Sequence, residues 1–145
     1  MVNSEPAAGQ GLSPLQVLVV DDDELMLELY RYQFEAWNLP VNCIWRSSSV
    51  AALQDVYSLR PDLLITDLSM PGLNGMEMLR QLEDQPQLAG MQIVVVSGLQ
   101  PEFIEAQGGL SPRLNFLRKP VDFALLRRHV AGLAQARQTD QPLKR

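Results

Sequence analysis

The stretch DLLITDLSMPGLNG, residues 62–75, decides the fold of this chain. Its aliphatic run has the length and flanks of a buried strand, and a loop rich in Pro, Gly and Asn follows at once. Asp67 therefore lies at the tip of a predicted strand. In α/β sheets, ligands bind in the crevice beyond the carboxyl ends of parallel strands, so a carboxylate at this position is placed for chemistry.

Other aliphatic runs in the chain have the same form, because each ends in a polar group. They are VLVV (17–20) before Asp21, Asp22 and Asp23, IVVV (93–96) before Ser97 and Gly98, and LNFL (114–117) before Arg118, Lys119 and Pro120. If all these strands are parallel, one edge of the sheet gathers carboxylates, a hydroxyl and an ammonium group. Carboxylates suit Mg²⁺, and the hydroxyl and the ammonium suit phosphoryl oxygens, so the sequence predicts a site for a divalent cation and a phosphoryl group.

Helical patterns separate these strands. The apolar residues predicted to face the core are Met26, Leu29, Tyr30, Phe34 and Trp37 in helix one, Ala52, Leu53 and Val56 in helix two, Met78, Leu79 and Leu82 in helix three, and Phe123, Leu126, Val130 and Leu133 in helix five. A serine among residues 47–49 caps helix two, Gly75 opens helix three and Asp122 caps helix five. A further strand is predicted at 41–45. Helix four, 101–107, is short because GG and SP follow it.

Strand and helix thus alternate five times, which predicts an α/β fold with a doubly wound, five-stranded parallel sheet. The 145 residues are sufficient for one domain with a sizeable core. We predict a flexible leader at 1–14, a domain at 15–135 and a polar tail at 136–145. His129, beside Arg127 and Arg128, is predicted to lie on a solvated helix face.

Composition narrows the functional classes. A net charge of −5 argues against direct nucleic-acid binding. The single cysteine, Cys43, excludes an internal disulfide and a Cys-rich metal site. No apolar run approaches the length of a membrane span, and the first 14 residues have no secretory pattern. We therefore expect a cytoplasmic protein that does not bind membranes.

Four motifs in this order resemble the receiver domain of two-component response regulators, the CheY-like superfamily. They are VVDD at 19–22, Asp67 followed by MPG and NG, Ser97-Gly98 after a valine run, and Lys119-Pro120. The resemblance covers residues 16–133. It implies the flavodoxin-like (βα)5 receiver fold with strand order 2-1-3-4-5, and a cis Lys119-Pro120 bond. It also implies that the protein is a signalling phosphoacceptor in a histidine-to-aspartate phosphorelay and that it has no separate enzymatic substrate.

The same resemblance assigns roles to residues. Asp67 is the phosphoacceptor, and Lys119 and Ser97 contact the phosphoryl group. The backbone amides of Leu68 and Gly98 assist. The expected ligands of Mg²⁺, for which Mn²⁺ could substitute, are Asp21, Asp22, Asp67 and the backbone carbonyl of Ser69. Ser97 and Phe116 form the expected switch, which alters the face around helix four, strand five and helix five for partner docking.

The implied partners are a sensor histidine kinase or a histidine phosphotransfer protein, and a downstream protein effector, with a phosphorylation-dependent dimer left open. Val121 departs from the aromatic residue that often follows Lys-Pro in this family, and the breaks after helix four put the usual dimer mode in question. The sequence leaves open whether the chain acts alone or is cut from a longer protein.

Two other functions remain open at this stage. Asp21 and Asp23 form an Asp-x-Asp after a strand, as in phosphohydrolases of the haloacid dehalogenase type, where Asp21 would be the nucleophile and Asp23 the acid. That alternative leaves Asp67 and its loop unexplained. The second is an interaction module that keeps the fold and is not phosphorylated, and the five intact polar residues Asp21, Asp22, Asp67, Ser97 and Lys119 argue against it.

Overall fold

The computed structural model describes residues 13–68 and 75–140, with side chains as far as Gln138. Within these ranges, strands and helices alternate along the chain. They are β1 (Leu15–Val20), α1 (Glu24–Trp37), β2 (Val41–Arg46), α2 (Ser49–Leu59), β3 (Leu63–Thr66), α3 (Gly75–Glu83), β4 (Gln92–Ser97), α4 (Pro101–Ala106), β5 (Asn115–Arg118) and α5 (Phe123–Asp140), with a 3₁₀ turn at Pro86–Leu88. All strand pairs are parallel and the sheet order is β2-β1-β3-β4-β5. The predicted fold class and strand order are confirmed.

Each face of the sheet is covered by its own apolar core. Residues of α1 and α5 pack on one face, around Val19, Ile65 and Val96, and residues of α2, α3 and α4 pack on the other. The central strands are buried on both faces, which explains why their sequences are continuous aliphatic runs instead of alternating patterns. The carboxyl ends of the strands consequently meet at one edge.

One predicted helix face needs correction. In α1 the buried residues are Leu27, Tyr30 and Phe34, whereas Leu29 is 42% exposed. Apolar residues occur on both sides of this helix, so the spacing alone did not identify the inward one. The packed faces predicted for α3 and α5 are confirmed by buried Met78, Leu79 and Leu82 and by buried Leu126 and Val130.

Helix termini are fixed by local hydrogen bonds. The Ser48 hydroxyl accepts from the Ala51 N–H at 3.3 Å, and the Asp122 carboxylate accepts from the Leu125 N–H at 3.1 Å. Both predicted caps are confirmed, with Ser48 as the serine that caps α2. The predicted cis bond between Lys119 and Pro120 is also present.

Helix α4 is as short as the sequence predicts. Its six residues end before Gly108, whose φ of +103° favours glycine. The Arg80 guanidinium on α3 donates to the Gln107 carbonyl and lies against Gly108. The end of α4 is therefore held by a cation from the neighbouring helix.

Helix α5 differs from the prediction. The sequence predicts a polar tail from residue 136, but the helix continues to Asp140. Arg137 Nη1 donates to Asp62 Oδ1 at 2.9 Å, Arg137 Nη2 donates to Ser13 Oγ at 3.1 Å, and Gln138 Nε2 donates to the Ser13 carbonyl at 3.1 Å. These hydrogen bonds stabilise the helical conformation of a segment that its polar composition predicted to be a tail.

The structure also bears on the predictions for His129 and for the two ends of the chain. His129 is half-buried, with Nε2 enclosed and unpaired among the described residues, so its predicted solvated position is wrong. Residues 1–12 of the predicted leader and 141–145 of the predicted tail lie outside the described residues. None of the described helices is long and apolar enough to cross a membrane.

Candidate functional site at the carboxyl edge of the sheet

Backbone hydrogen bonds align the tips of the strands at this edge. The Asp21 N–H donates to the Arg46 carbonyl at 3.1 Å, and the Asp67 N–H donates to the Val20 carbonyl at 3.3 Å. At the ends of β4 and β5, the Lys119 N–H donates to the Ser97 carbonyl at 3.0 Å. The parallel ladder therefore continues one residue past the strands, and it brings the predicted site residues together.

Three carboxylates form the centre of the site. One oxygen from each of Asp21, Asp22 and Asp67 can be chosen so that all lie within 4.8 Å of one another. Asp21 is 1% exposed and Asp67 is 6% exposed, whereas Asp22 is exposed. Two unit charges about 4 Å apart repel by roughly 4 kcal/mol at an effective dielectric near 20, so this cluster needs positive charge.

Lys119 supplies part of that charge. Its Nζ donates to Asp67 Oδ2 at 2.8 Å and to Asp21 Oδ2 at 3.2 Å. One ammonium group is thus shared between two buried carboxylates, and the lysine itself is mostly enclosed, with 26% of its side chain exposed.

The electrostatic environment shifts the pKa values of two of these groups. Burial raises the pKa of Asp21, and the charge of Asp67 adds to the rise, although the Asp23 N–H and Lys119 oppose it. Burial lowers the pKa of Lys119, but the hydrogen bond from its ammonium group to Asp67 and the charge of Asp21 outweigh that effect, and the net shift is upward. The lysine therefore stays charged at neutral pH.

The donor set fits a divalent cation. With all groups ionised, Asp21, Asp22 and Asp67 carry three negative charges and Lys119 carries one positive charge, which leaves two negative charges formally unbalanced. All three ligands are carboxylate oxygens, which Mg²⁺ and Mn²⁺ prefer. The fourth predicted ligand, the Ser69 carbonyl, lies outside the described residues.

Ser97 lies at the tip of β4 and is fully buried. Its Oγ accepts from the Leu99 N–H at 3.1 Å. This bond orients the side chain and uses an acceptor lone pair, so the hydroxyl hydrogen can be donated elsewhere. Phe116, the other half of the predicted switch, is partly buried against the core that contains Ile104 of α4.

Asp23 does not belong to the carboxylate cluster. Its Oδ1 accepts from the Leu25 N–H at 3.0 Å, and its own N–H donates to Asp21 Oδ1 at 2.9 Å. It is therefore the N-cap of α1. Asp23 is committed to the helix terminus and not aimed at the centre of the cluster, which disfavours a role as a general acid.

Two residues near the site were not singled out as functional by the sequence. Thr66, the last residue of β3, is fully buried, and its hydroxyl donates to the Asp67 carbonyl at 3.1 Å. Gly75 was predicted only as a helix start, but its backbone lies against that of Leu68. Thr66 could have been identified from the sequence, because its hydroxyl comes directly before the aspartate at the strand tip. The contact of Gly75 with Leu68 could not, because it depends on tertiary packing.

Comparison with known proteins agrees with this geometry. Residues 17–131 match the family model described as the response regulator receiver domain. The chain is 29% identical over 122 residues to the response regulator PleD of Caulobacter vibrioides, with 83% of this chain and 26% of that protein covered. It is 28% identical over 111 residues to the polar-differentiation response regulator DivK of Brucella anthropi, with 74% of this chain and 86% of DivK covered.

Among solved structures, the receiver domain of Francisella response regulator 1452 superposes with a TM-score of 0.69 at 25% identity, and 84% of this chain and 98% of that chain are covered. The chain spans about a quarter of the length of PleD, whereas it spans most of DivK.

Proposed function

This chain belongs to the response regulator receiver domain family, and from that membership we propose that it is the phosphoacceptor of a histidine-to-aspartate phosphorelay, phosphorylated on Asp67 in a Mg²⁺-dependent reaction. The observation that carries the proposal is the ion pair between Lys119 and Asp67 beside two further carboxylates. We propose residues 15–135 as the functional receiver domain.

In the proposed reaction, an oxygen of the Asp67 carboxylate attacks the phosphorus of a phosphohistidine or of a small phosphodonor. The new O–P bond forms as the bond to the leaving group breaks. With a phosphohistidine the electron pair leaves with the imidazole nitrogen, which takes a proton from solvent, and with acetyl phosphate it leaves with the acetate oxygen. The product is an acyl phosphate on Asp67. Asp67 is suited to this role because it lies at the carboxyl edge of the sheet with the Lys119 ammonium group 2.8 Å from its carboxylate.

The neighbouring groups would stabilise the charge that develops on the phosphoryl oxygens. Lys119 is already hydrogen-bonded to Asp67 and would transfer to the phosphoryl group. Ser97 would donate its hydroxyl hydrogen, and the Leu68 and Gly98 amides would donate theirs. Mg²⁺, held by Asp21, Asp22, Asp67 and the Ser69 carbonyl, would neutralise the carboxylates and the incoming phosphoryl group, and Mn²⁺ would substitute.

Phosphorylation would be transmitted through Ser97. The phosphoryl group adds roughly 1.5 to 2 negative charges and attracts the Ser97 hydroxyl. Phe116, on the adjacent strand β5, would follow, and the face formed by α4, β5 and α5 would change its affinity for an effector. The proposed partners are a sensor histidine kinase or a histidine phosphotransfer protein upstream and a protein effector downstream. The phosphorylation-dependent dimer remains an open possibility, and the cytoplasmic location remains a prediction.

The direct test is incubation of the purified chain with acetyl phosphate and Mg²⁺, followed by mass spectrometry of the intact protein and of its peptides. We expect one phosphoryl group on Asp67, and none in Asp67→Asn or when Mg²⁺ is removed with a chelator. A label on Asp21 would instead support the phosphohydrolase alternative. An unlabelled wild-type protein would support the non-phosphorylated interaction module.

Asp23→Asn is the matched control. Asparagine retains the N-cap of α1, so the fold should be kept. The proposed phosphoacceptor does not use Asp23, and the variant should be labelled at the wild-type rate. The phosphohydrolase alternative needs Asp23 as its acid and expects a large loss of turnover.

A further inference from the structure

The buried hydroxyl of Thr66 has a specific partner beside the phosphoacceptor. Thr66 ends a strand whose other residues are aliphatic, it is fully buried, and its Oγ1 donates to the carbonyl oxygen of Asp67 at 3.1 Å. A valine would fill the same space without a polar group. The contact therefore joins the hydroxyl to the backbone of the residue that is proposed to carry the phosphoryl group.

That carbonyl shares one peptide unit with the Leu68 N–H. The unit is planar and trans, so its C=O and N–H point in opposite directions and turn together. When the Thr66 hydroxyl fixes the Asp67 carbonyl, it also fixes the direction of the Leu68 N–H. This N–H is one of the two backbone donors proposed for the phosphoryl oxygens.

Gly75, the first residue of α3, packs against the same segment. A Cβ atom at this position would lie 2.6 Å from the Leu68 Cα and 2.8 Å from the Leu68 carbonyl carbon, closer than non-bonded carbons approach. Leu68 itself is 5% exposed, with its side chain in the core. The Leu68 end of the peptide unit between Asp67 and Leu68 is thus held by close packing, and the rotation of this unit is restrained by Thr66.

We infer that Thr66 is a positioning residue for phosphoryl transfer, whose hydroxyl aims the Leu68 N–H at the phosphoryl oxygen through the Asp67 carbonyl. This inference rests on the proposed function, because it requires Asp67 to be the acceptor. Thr66 does not touch the phosphoryl group, and it contributes no ligand to the carboxylate cluster. It should therefore affect phosphoryl transfer and leave cation binding unchanged.

The test compares Thr66→Val, which keeps the shape and removes the hydroxyl, with Thr66→Ser, which keeps the hydroxyl and removes the methyl group. For each variant we would measure the rate of Asp67 labelling by acetyl phosphate at saturating Mg²⁺, the affinity for Mg²⁺ alone, and the melting temperature. We expect Thr66→Val to be labelled about 10-fold more slowly, a loss in the range for one buried hydrogen bond, and Thr66→Ser to remain within about twofold of wild type. The Mg²⁺ affinity should be the same in all three proteins.

Several outcomes would overturn the inference. They are a wild-type labelling rate in Thr66→Val, an equal loss in Thr66→Ser, or a parallel loss of Mg²⁺ affinity, since each points to a role in packing alone. If the valine variant does not fold, Thr66→Ala takes its place, because it lacks the hydroxyl and brings no new methyl group against the carbonyl. A wild-type protein without label on Asp67 would reject the proposed function itself, which distinguishes the two failures.

Discussion

Carboxylates lie at both the amino and the carboxyl edge of the sheet, but the number of cations that pair with them differs. At the amino edge, Asp62 has a partner for each oxygen, because Oδ1 accepts from Arg137 at 2.9 Å and Oδ2 accepts from the Gln16 N–H at 2.8 Å. At the carboxyl edge, one ammonium group serves Asp21 and Asp67 together, and Asp22 lies next to them. The pair of Asp62 and Arg137 is neutral, whereas the cluster of Asp21, Asp22, Asp67 and Lys119 carries excess negative charge.

This difference separates a structural ion pair from one that is proposed to be functional. Asp62 has a cation of its own, so its pair with Arg137 contributes to stability and joins α5 to the start of β3. Crowded carboxylates cost stability when no cation is bound, and they supply binding energy when one arrives. The comparison predicts that changes at the carboxyl edge alter phosphorylation, whereas changes at the amino edge alter stability.

The largest expected effect is that of Lys119→Gln. This substitution removes the ammonium group that is shared by two buried carboxylates and proposed to stabilise the phosphoryl oxygens. We expect labelling of Asp67 by acetyl phosphate to slow by about 100-fold, as for the loss of one donor in an oxyanion site. Arg118→Gln, which removes the adjacent exposed cation, is the control and should stay near the wild-type rate. Equal rates in wild type and Lys119→Gln would contradict the assignment.

A smaller effect is expected from Arg137→Gln at the amino edge. The substitution removes the charged partner of Asp62 and the hydrogen bond to Ser13, both of which are partly buried. Denaturant unfolding should show a loss of about 1–2 kcal/mol in the free energy of unfolding. The rate of Asp67 labelling should be unchanged.

Arg127→Gln, an exposed position on the same helix, is the control for that measurement and should change the free energy of unfolding by less than about 0.5 kcal/mol. A slower labelling rate in Arg137→Gln would mean that the two edges are coupled, and the separation between them would then be wrong.

The smallest expected effect concerns Asp21 in the absence of metal. Its folded-state pKa lies above the ordinary value of 3.8, chiefly because of burial. The stability that this group contributes is therefore present below about pH 3.8, and it is lost as the pH rises through the raised pKa. Metal-free Asp21→Asn should be more stable than wild type at pH 7, by less than the loss in Arg137→Gln, and this difference should shrink toward pH 4.

Melting temperatures of the two metal-free proteins across that pH range would provide the measurement. Asp22→Asn is the matched control, because Asp22 is exposed and its substitution removes the same charge without removing a buried group. A wild-type protein that is more stable than Asp21→Asn at pH 7 would show that the pairing with Lys119 outweighs the cost of burial.

Much of this architecture could be predicted from the residues alone. Continuous aliphatic runs such as 93–96 indicate strands that are buried on both faces, and the polar residue after each run marks the edge where the site lies. The alternation of elements then determines a parallel sheet, and parallel strands bring Asp21, Asp67 and Lys119 to one edge because their carboxyl ends coincide. The short α4 also follows directly from the glycines after it.

Other features depended on contacts between distant parts of the chain. Whether Leu27 or Leu29 faces the core is decided by how α1 is rotated against the sheet, and both residues satisfy a helical spacing. The last part of α5 contacts Asp62, which lies 75 positions before Arg137 and is brought next to it only by the tertiary fold.

The sequence by itself determined which groups meet at the carboxyl edge, since strand direction follows from local patterns and connection lengths, and the resemblance to receiver domains implied the strand order. Only the tertiary structure decided which of those groups are paired. Lys119 donates hydrogen bonds to Asp67 and to Asp21. The Asp23 carboxylate caps α1, and the Thr66 hydroxyl donates to the Asp67 carbonyl. Hydrogen bonds act over about 3 Å, so their partners are determined by the packed positions of side chains and not by the order of residues.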